Sequence, residues 1–279
     1  MSNHLIAIGF AVLSMLSFSL TYAFYKASLP FMPNTLAIFF QSLFSWGMIL
    51  PFALRKGADP LVSHRLGMIV VRTIFGLLSL YCISRALTKA SLAEVILLNN
   101  AFPLYVPFIA SLWMREKINH RLWPSLILGF IGVLVVIRPG FMEFNSGLAF
   151  ALFSGLFSAS LLVVTRQIAH EPFIRIMFYY FLLFGLILSP FLFSDWSSPP
   201  LHVWLLLACA AATMISAQLS FTAAARFAPP QQIAPFIYTG VIFSGLIDWI
   251  VWKQTPGFVA LIGMAIVCTG GILTLIRRT

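Results

Sequence analysis

Ten apolar runs, beginning near residues 5, 34, 66, 92, 122, 147, 174, 202, 231 and 256, occupy this 279-residue chain almost end to end. A helix needs about 20 predominantly apolar residues to cross the hydrocarbon core of a bilayer, and the runs have that character. Backbone amides find no water there, so a spanning chain must be helical or a closed barrel. The runs are continuously apolar rather than alternating, which excludes the barrel. With 61% hydrophobic and 9% charged residues, the chain also lies far from soluble averages of about 45–50% apolar and about 25% charged. The expectation is an all-α integral membrane protein of ten transmembrane helices. Pro103, Pro107 and Pro235 fall inside runs and predict bent helices around a central cavity.

The same five-helix pattern is written twice. Gly9-Phe-Ala-Val-Leu-Ser14 aligns with Gly147-Leu-Ala-Phe-Ala-Leu152 at an offset of 147 − 9 = 138. Pro33 and Pro51 bracket one run and Pro172 and Pro190 another, with the same separation of 18 and an offset of 139. Arg85 to Glu94 falls beside Thr222 to Gln231 at offset 137, which sets Lys89 opposite Arg226. The final helices align through Gly132-Val-Leu-Val-Val-Ile-Arg-Pro139 and Gly271-Ile-Leu-Thr-Leu-Ile-Arg-Arg278. Two units are expected, residues 1–139 and 140–279. Five is odd, so the second unit enters the membrane inverted, a 5+5 layout that many secondary transporters place around one central site.

Charge gives the orientation. With the N-terminus inside, eleven cations fall on the inner side (Arg55, Lys56, Arg65, Arg115, Lys117, Arg121, Arg166, Arg175, Arg226, Arg277 and Arg278). Five fall outside (Lys26, Arg85, Lys89, Arg138 and Lys253), and Arg72 lies within the third run. This bias predicts cytoplasmic N- and C-termini. The net charge of +10 therefore reflects basic loops against anionic lipid rather than a nucleic-acid surface. Trp113, Trp123, Trp204, Trp249 and Trp252 fall near run ends as an aromatic belt, whereas Trp46 lies deeper. The N-terminus lacks a cationic region and a cleavage site, so the first run is expected to be retained. Cys82, Cys209 and Cys268 lack pairing or metal spacing and are expected to be packing residues.

Several stretches carry a resemblance: Val71-Arg-Thr-Ile-Phe-Gly76, Arg85-Ala-Leu-Thr-Lys-Ala-Ser-Leu-Ala-Glu-Val95, Pro103-Leu-Tyr-Val-Pro107, Arg115-Glu-Lys117 and Gly129-Phe-Ile-Gly-Val-Leu-Val-Val-Ile-Arg-Pro-Gly140. Together they resemble the ten-helix EamA-type carriers of the drug/metabolite transporter superfamily. The likeness is greatest to the branch holding bacterial S-adenosylmethionine uptake carriers and related amino-acid or metabolite exporters. That resemblance implies a cavity walled mainly by helices 1, 3, 4, 6, 8 and 9. It also implies a bacterial inner-membrane location. In the second helix Gln41 stands where related sequences often carry arginine.

Neutral polar groups near mid-helix are the best candidates for recognition. Burying the Asn99 and Asn100 carboxamides without partners would cost roughly 2–7 kcal/mol each, so they need a ligand or a neighbouring helix. Asn99 shares a face with Phe102, and Phe18 shares one with Tyr22 and Tyr25. Tyr81 and Gln218 occupy equivalent places, 218 − 81 = 137, and Tyr238 is the counterpart of Ala101. Such a cavity would offer flat aromatic walls to a planar or cationic amphipathic solute. Arg72 is either a clamp for a carboxylate or phosphate, or a long side chain reaching the inner surface or helix carbonyls. Ser14, Ser17, Thr21, Ser154 and Ser158 read as packing seams. Glu94 and Asp248 lie at outer helix ends. Asp248 is either a hydrated anchor or an outer latch to Arg85 or Lys89.

Chemistry is not expected. No His/Glu metal set, nucleophile with base, Walker loop or GxGxxG cradle is present, so neither a metal, a cofactor nor nucleotide hydrolysis is implied. The sequence reads as a secondary transporter of a small metabolite, S-adenosylmethionine or an amino-acid-like solute, functioning as a monomer in the lipid bilayer. An exporter of another amphipathic metabolite or drug is the alternative, and a channel a further one, though no charge ring or filter repeat is visible.

Overall fold

Helix α1 (Ser2–Ser28) stops before Pro30 and Pro33, which lack the amide a further turn would need. Helix α2 (Asn34–Leu54) carries Pro51 in its last turn. There follow α3 (Leu66–Leu87), α4 (Leu92–Asn100), α5 (Phe102–Met114) and α6 (Trp123–Ile137). The second half holds α7 (Ser146–Gln167), α8 (Phe173–Leu188) with a 3-10 turn at Ser189–Leu192, and α9 (Leu201–Phe227). It closes with α10 (Thr239–Ile247), a π-helical turn at Asp248–Trp252, and α11 (Phe258–Arg277). This computed structural model describes residues 2–54, 65–115, 122–137, 146–168, 171–192, 199–227, 236–254 and 257–277.

Among the described residues, seven helices are long and apolar enough to cross a membrane. Three shorter apolar helices accompany them, at Trp123–Val136, Thr239–Trp252 and Leu261–Gly270. Ten spans are expected from sequence; the seven and the three overlap those ten runs, and the three are shorter than a full span among the described residues. The fourth run divides at Ala101 into α4 and α5, since Pro103 cannot donate back to the preceding turn. Pro235 and the boundary at 139/140 lie outside the described residues, as do Arg55, Lys56, Lys117, Arg121 and Arg138.

The helices pair α1 with α9, α3 with α7, α2 with α8, α6 with α11, and α4 with both α7 and α10. Lipid tails are as apolar as leucine, so close packing and interhelical bonds must hold these pairs rather than water exclusion. The α1/α9 seam meets that need with small buried residues, Ala7, Ala11 and Ser14 against Ala210, Ala217 and Ala224. Hydroxyls stitch it: Ser14 donates to the Ala217 carbonyl at 2.8 Å, and Thr21 to Thr213 at 2.9 Å. The α6/α11 seam uses glycine. A Cβ on Gly270 would meet the Gly129 nitrogen at 2.4 Å, and one on Gly132 the Val267 nitrogen at 2.6 Å. Backbone there lies on backbone.

Arg115 and Lys253 end α5 and the π turn with φ of 56° and 55°, the two positive-φ non-glycine residues described. Trp46 finds its place against Phe178, ring centroids 5.7 Å apart, inside the bundle.

Candidate functional site

A cavity of about 1040 Å³, its mouth included, lies at the centre of the bundle. One face of α1 supplies Met15, Phe18, Ser19 and Tyr22, the i, i+3, i+4, i+7 spacing of a single helical stripe. Phe18 and Tyr22 stack with their planes 15° apart and form a flat wall. Spans built from α3, α4, α7, α9 and the segment before α10 complete the lining, and Phe102 enters from the start of α5. One contributing helix lies outside the expected wall: the seventh run, α8, through Tyr180. It sits in a notch left by Gly76, where a Cβ would come within 2.5 Å of its ring.

Six of the residues singled out from sequence line this cavity: Phe18, Tyr22, Asn99, Asn100, Phe102 and Gln218. The Ser154 hydroxyl donates to the Ala151 carbonyl at 2.6 Å, so it must accept from elsewhere. It accepts from the Asn99 amide at 3.1 Å, and Ser158 accepts from the same nitrogen at 3.0 Å. The Asn99 nitrogen is thereby committed to α7, leaving its carbonyl oxygen for a solute. Ser158 and Ser79 lie 2.8 Å apart, share a hydrogen bond and both line the cavity, so one of the seam serines, Ser158, is also part of the site. Asn100 donates to the Ile237 carbonyl at 3.3 Å, across the meeting point of two interrupted helices.

Three expected residues fall elsewhere. Helix α3 turns Gly76, Ser79, Leu80 and Ile83 toward the cavity, which rotates Tyr81 away by about 100°, one residue's turn. Its ring instead lies 5.8 Å from the Arg85 guanidinium. Tyr238 is buried at the turn before α10, with no partner for its hydroxyl, while its neighbours Ile237 and Gly240 reach the cavity. Arg72 neither reaches the surface nor bonds a helix carbonyl. It is buried, donates from Nε to the Thr165 hydroxyl at 2.9 Å, and rests 4.8 Å above the Tyr180 ring. Tyr25 points into the core and donates to the Asn34 carbonyl.

At one end of the bundle the expected latch has a different partner. Asp248 pairs with Lys26 at 2.9 Å, not with Arg85 or Lys89. Its second carboxylate oxygen accepts the Ala93 amide at 2.9 Å, at the exposed dipole of the α4 N-terminus. The residue is 0% exposed, which corrects the hydrated anchor. Asp248 stands at the start of the π turn, bonded to both α1 and the α4 N-terminus; such turns recur at functional sites. Lys26 also lies over the Trp252 ring at 4.4 Å. Lys89 donates to Ser146, and Glu94 closes a capping box with Ser91. At the other end Arg65 donates to the Gln167 carbonyl, and Arg175 pairs with Glu171.

A bundle of apolar spans around an aromatic cavity with inward-facing carboxamides fits transport of a solute. The sequence profile of the EamA-like transporter family matches residues 5–138 and again 145–276. The chain belongs to that family. It is 26% identical over 271 residues to the pseudopaline exporter CntI of Pseudomonas aeruginosa, covering 95% of this chain and 92% of the relative. It is 26% identical over 249 residues to a riboflavin transporter of Vibrio cholerae, with 86% and 83% covered. An S-adenosylmethionine uptake transporter of Rickettsia bellii is 20% identical over 268 residues, with 96% and 92% covered. One crystal structure, 18% identical, superposes with a TM-score of 0.69 over 98% of this chain and 99% of its own, a likeness of fold. These relatives of the EamA-like chain are metabolite transporters rather than enzymes.

Proposed function

We propose that this EamA-like chain is a secondary carrier that moves a small organic metabolite across the bacterial inner membrane by alternating access, with both termini cytoplasmic. The observation that carries the reading is the central cavity, with the buried Lys26–Asp248 pair one turn along α1 beyond its lining residue Tyr22. A pair that forms in one state and separates in another is a gate, and we assign that role to Asp248 with Lys26. We assign Arg85, Lys89 and Glu94 to the same gate.

Two five-helix units, 1–139 and 140–279, related by inversion, account for features that otherwise look unrelated. Exchanging each span for the one five places away turns the α1/α9 pairing into α7/α3 and leaves α2/α8 and α6/α11 unchanged, and all these pairings occur. The two left-handed residues stand 253 − 115 = 138 apart, and the Asn100 to Ile237 hydrogen bond joins positions 137 apart. The symmetric interruptions then face each other at the site itself.

The cargo in this reading is S-adenosylmethionine or an amino-acid-like solute, held by the Phe18 and Tyr22 wall and the Asn99, Asn100 and Gln218 carboxamides. Export of another amphipathic metabolite is the second reading, favoured by the 26% identity to a pseudopaline exporter. A thermal-shift screen of the purified protein against S-adenosylmethionine, amino acids, nucleosides and riboflavin should identify a stabilising solute, since ligand bound to the folded state raises stability by mass action. Saturable counterflow of that solute in proteoliposomes would establish the carrier; single-channel conductance would overturn it. Cysteines at 56–64 and 117–121 should be inaccessible from outside intact cells, and the reverse pattern would invert the orientation.

A further inference from the structure

We propose that Arg72 and Tyr180 form a shuttered anion subsite opening off the central cavity, and that the cargo carries a carboxylate. The inference rests on the cavity being the solute site and adds the chemical class of what enters it.

Arg72 is 5% exposed, and its Nη1 is buried with no hydrogen-bond partner. Its Nε bond to Thr165 is satisfied, and Thr165 passes its own proton to the Leu161 carbonyl at 2.6 Å. The carboxylates among the described residues are engaged elsewhere: Asp248 with Lys26, Glu171 with Arg175, and Glu94 in its capping box. A buried guanidinium with no counter-charge and a spare N–H edge is costly, more than contact with one aromatic face offsets. Such a group needs an anion that the described residues do not provide.

The position supplies the second argument. Arg72 lies one turn along α3 from Gly76, which lines the cavity. Tyr180 fills the space between. Its hydroxyl sits 2.6 Å from where a Gly76 Cβ would be, and its ring both lines the cavity and carries the guanidinium. The absent side chain at 76 lets the tyrosine lie across α3 as a cover. Asn99, Asn100 and Gln218 are neutral and can orient a solute without neutralising it. Arg72 behind the ring can do so once the ring swings aside. One guanidinium with one spare edge matches the single charge of a carboxylate; a phosphate would call for further cations.

The test uses the full chain in lipid nanodiscs and phenylglyoxal, an aromatic reagent that modifies guanidinium groups, with the Arg72 peptide followed by mass spectrometry. Modification should be slow in the wild type and at least tenfold faster in Tyr180→Ala. Gly76→Ala, whose new methyl group displaces the same ring, should accelerate it likewise and guards against a Tyr180 variant that fails to fold. In both variants 3-phenylpropanoate should slow labelling and 3-phenylpropanamide should not. Arg72→Met should raise the Tm of the solute-free protein, because it removes an uncompensated charge. Equal protection by acid and amide, or by neither, overturns the anion subsite while counterflow still judges the cavity. Unchanged labelling in both variants, or a lowered Tm in Arg72→Met, makes Arg72 a structural residue and overturns the proposal.

Discussion

Asp248→Asn should release the closed end of the carrier, and burial sets how strongly. Exposed ion pairs contribute about 0.2–1 kcal/mol, whereas removing one member of a buried pair costs about 3–5 kcal/mol because the other charge is stranded. The Lys26 and Asp248 side chains are only 10% and 1% exposed, so the second regime applies. Two contacts soften the loss. Lys26 keeps the face of Trp252, and asparagine keeps an oxygen for the Ala93 amide. The lower end, about 3 kcal/mol, is therefore expected. If the two charges hydrate on opening, the closed state alone bears this cost, and about 1.4 kcal/mol per tenfold gives a population shift on the order of 100-fold. The assay is labelling by an impermeant thiol reagent at an Ile83→Cys site, which faces the cavity, after Cys82, Cys209 and Cys268 are replaced by alanine. Lys26→Met should accelerate labelling comparably, and the double variant should add little to either single one. Additive effects, or rates within twofold of the parent in every variant, would refute the gate and leave the pair as a helix tie.

Three further outcomes follow from the packing. Gln218→Ala should weaken affinity for the stabilising solute by roughly 2–10-fold at unchanged Tm, one hydrogen bond being worth about 0.5–1.5 kcal/mol. Asn99→Ala should lower both quantities, since it also loses Ser154 and Ser158, and Tyr81→Ala should leave affinity untouched; calorimetric titration beside thermal melts separates these cases. Gly270→Val should force α6 and α11 apart and lower the Tm, with overpacking costing about 1–3 kcal/mol or more; an unaltered melt would mean the seam yields. Lys253→Gly should raise stability by about 1 kcal/mol, because the left-handed conformation at φ 55° penalises a side chain, and a fall in the midpoint of denaturation would contradict that.

Much of this architecture is legible in sequence because hydropathy acts along the chain. Run positions, proline brackets and the nearly constant offset need only comparison along the chain, and nine of the ten runs begin within three residues of a helix start, the run near 231 beginning outside the described residues. Asn99, Asn100 and Gln218 could be singled out because a carboxamide in hydrocarbon has few alternatives to a partner or a solute. What escaped was rotational and pairwise. Tyr81 and Gln218 are equivalent at an offset of 137, but the lining pairs Gly76, Leu80 and Ile83 with Met214, Gln218 and Phe221 at 138, and that one-residue difference in register decides which side chain faces the cavity. Sequence places Lys26 only among the outer-side cations; its partner Asp248 stands 222 positions away at the start of a π turn. Nothing in the sequence separates Tyr180 from the many other aromatic residues. Gly76, a glycine inside an apolar helix, is the signal that marks its place, but Gly9, Gly47, Gly67 and Gly185 stand in the same setting against open space, so the glycine alone does not single the tyrosine out.

The glycine seam between α6 and α11 has a mechanical consequence. These are the last helices of the two halves, and neither contributes to the described lining of the cavity. Where main chain bears directly on main chain, no side-chain rotamer is interposed to absorb a displacement. The two helices must therefore travel as one rod, tying the halves together at a point remote from the solute. A rocking motion about such a tie acts like a lever with its fulcrum at the rim, so the largest excursions fall among α1, α9 and the π turn after α10, which carry Lys26, Gln218 and Asp248.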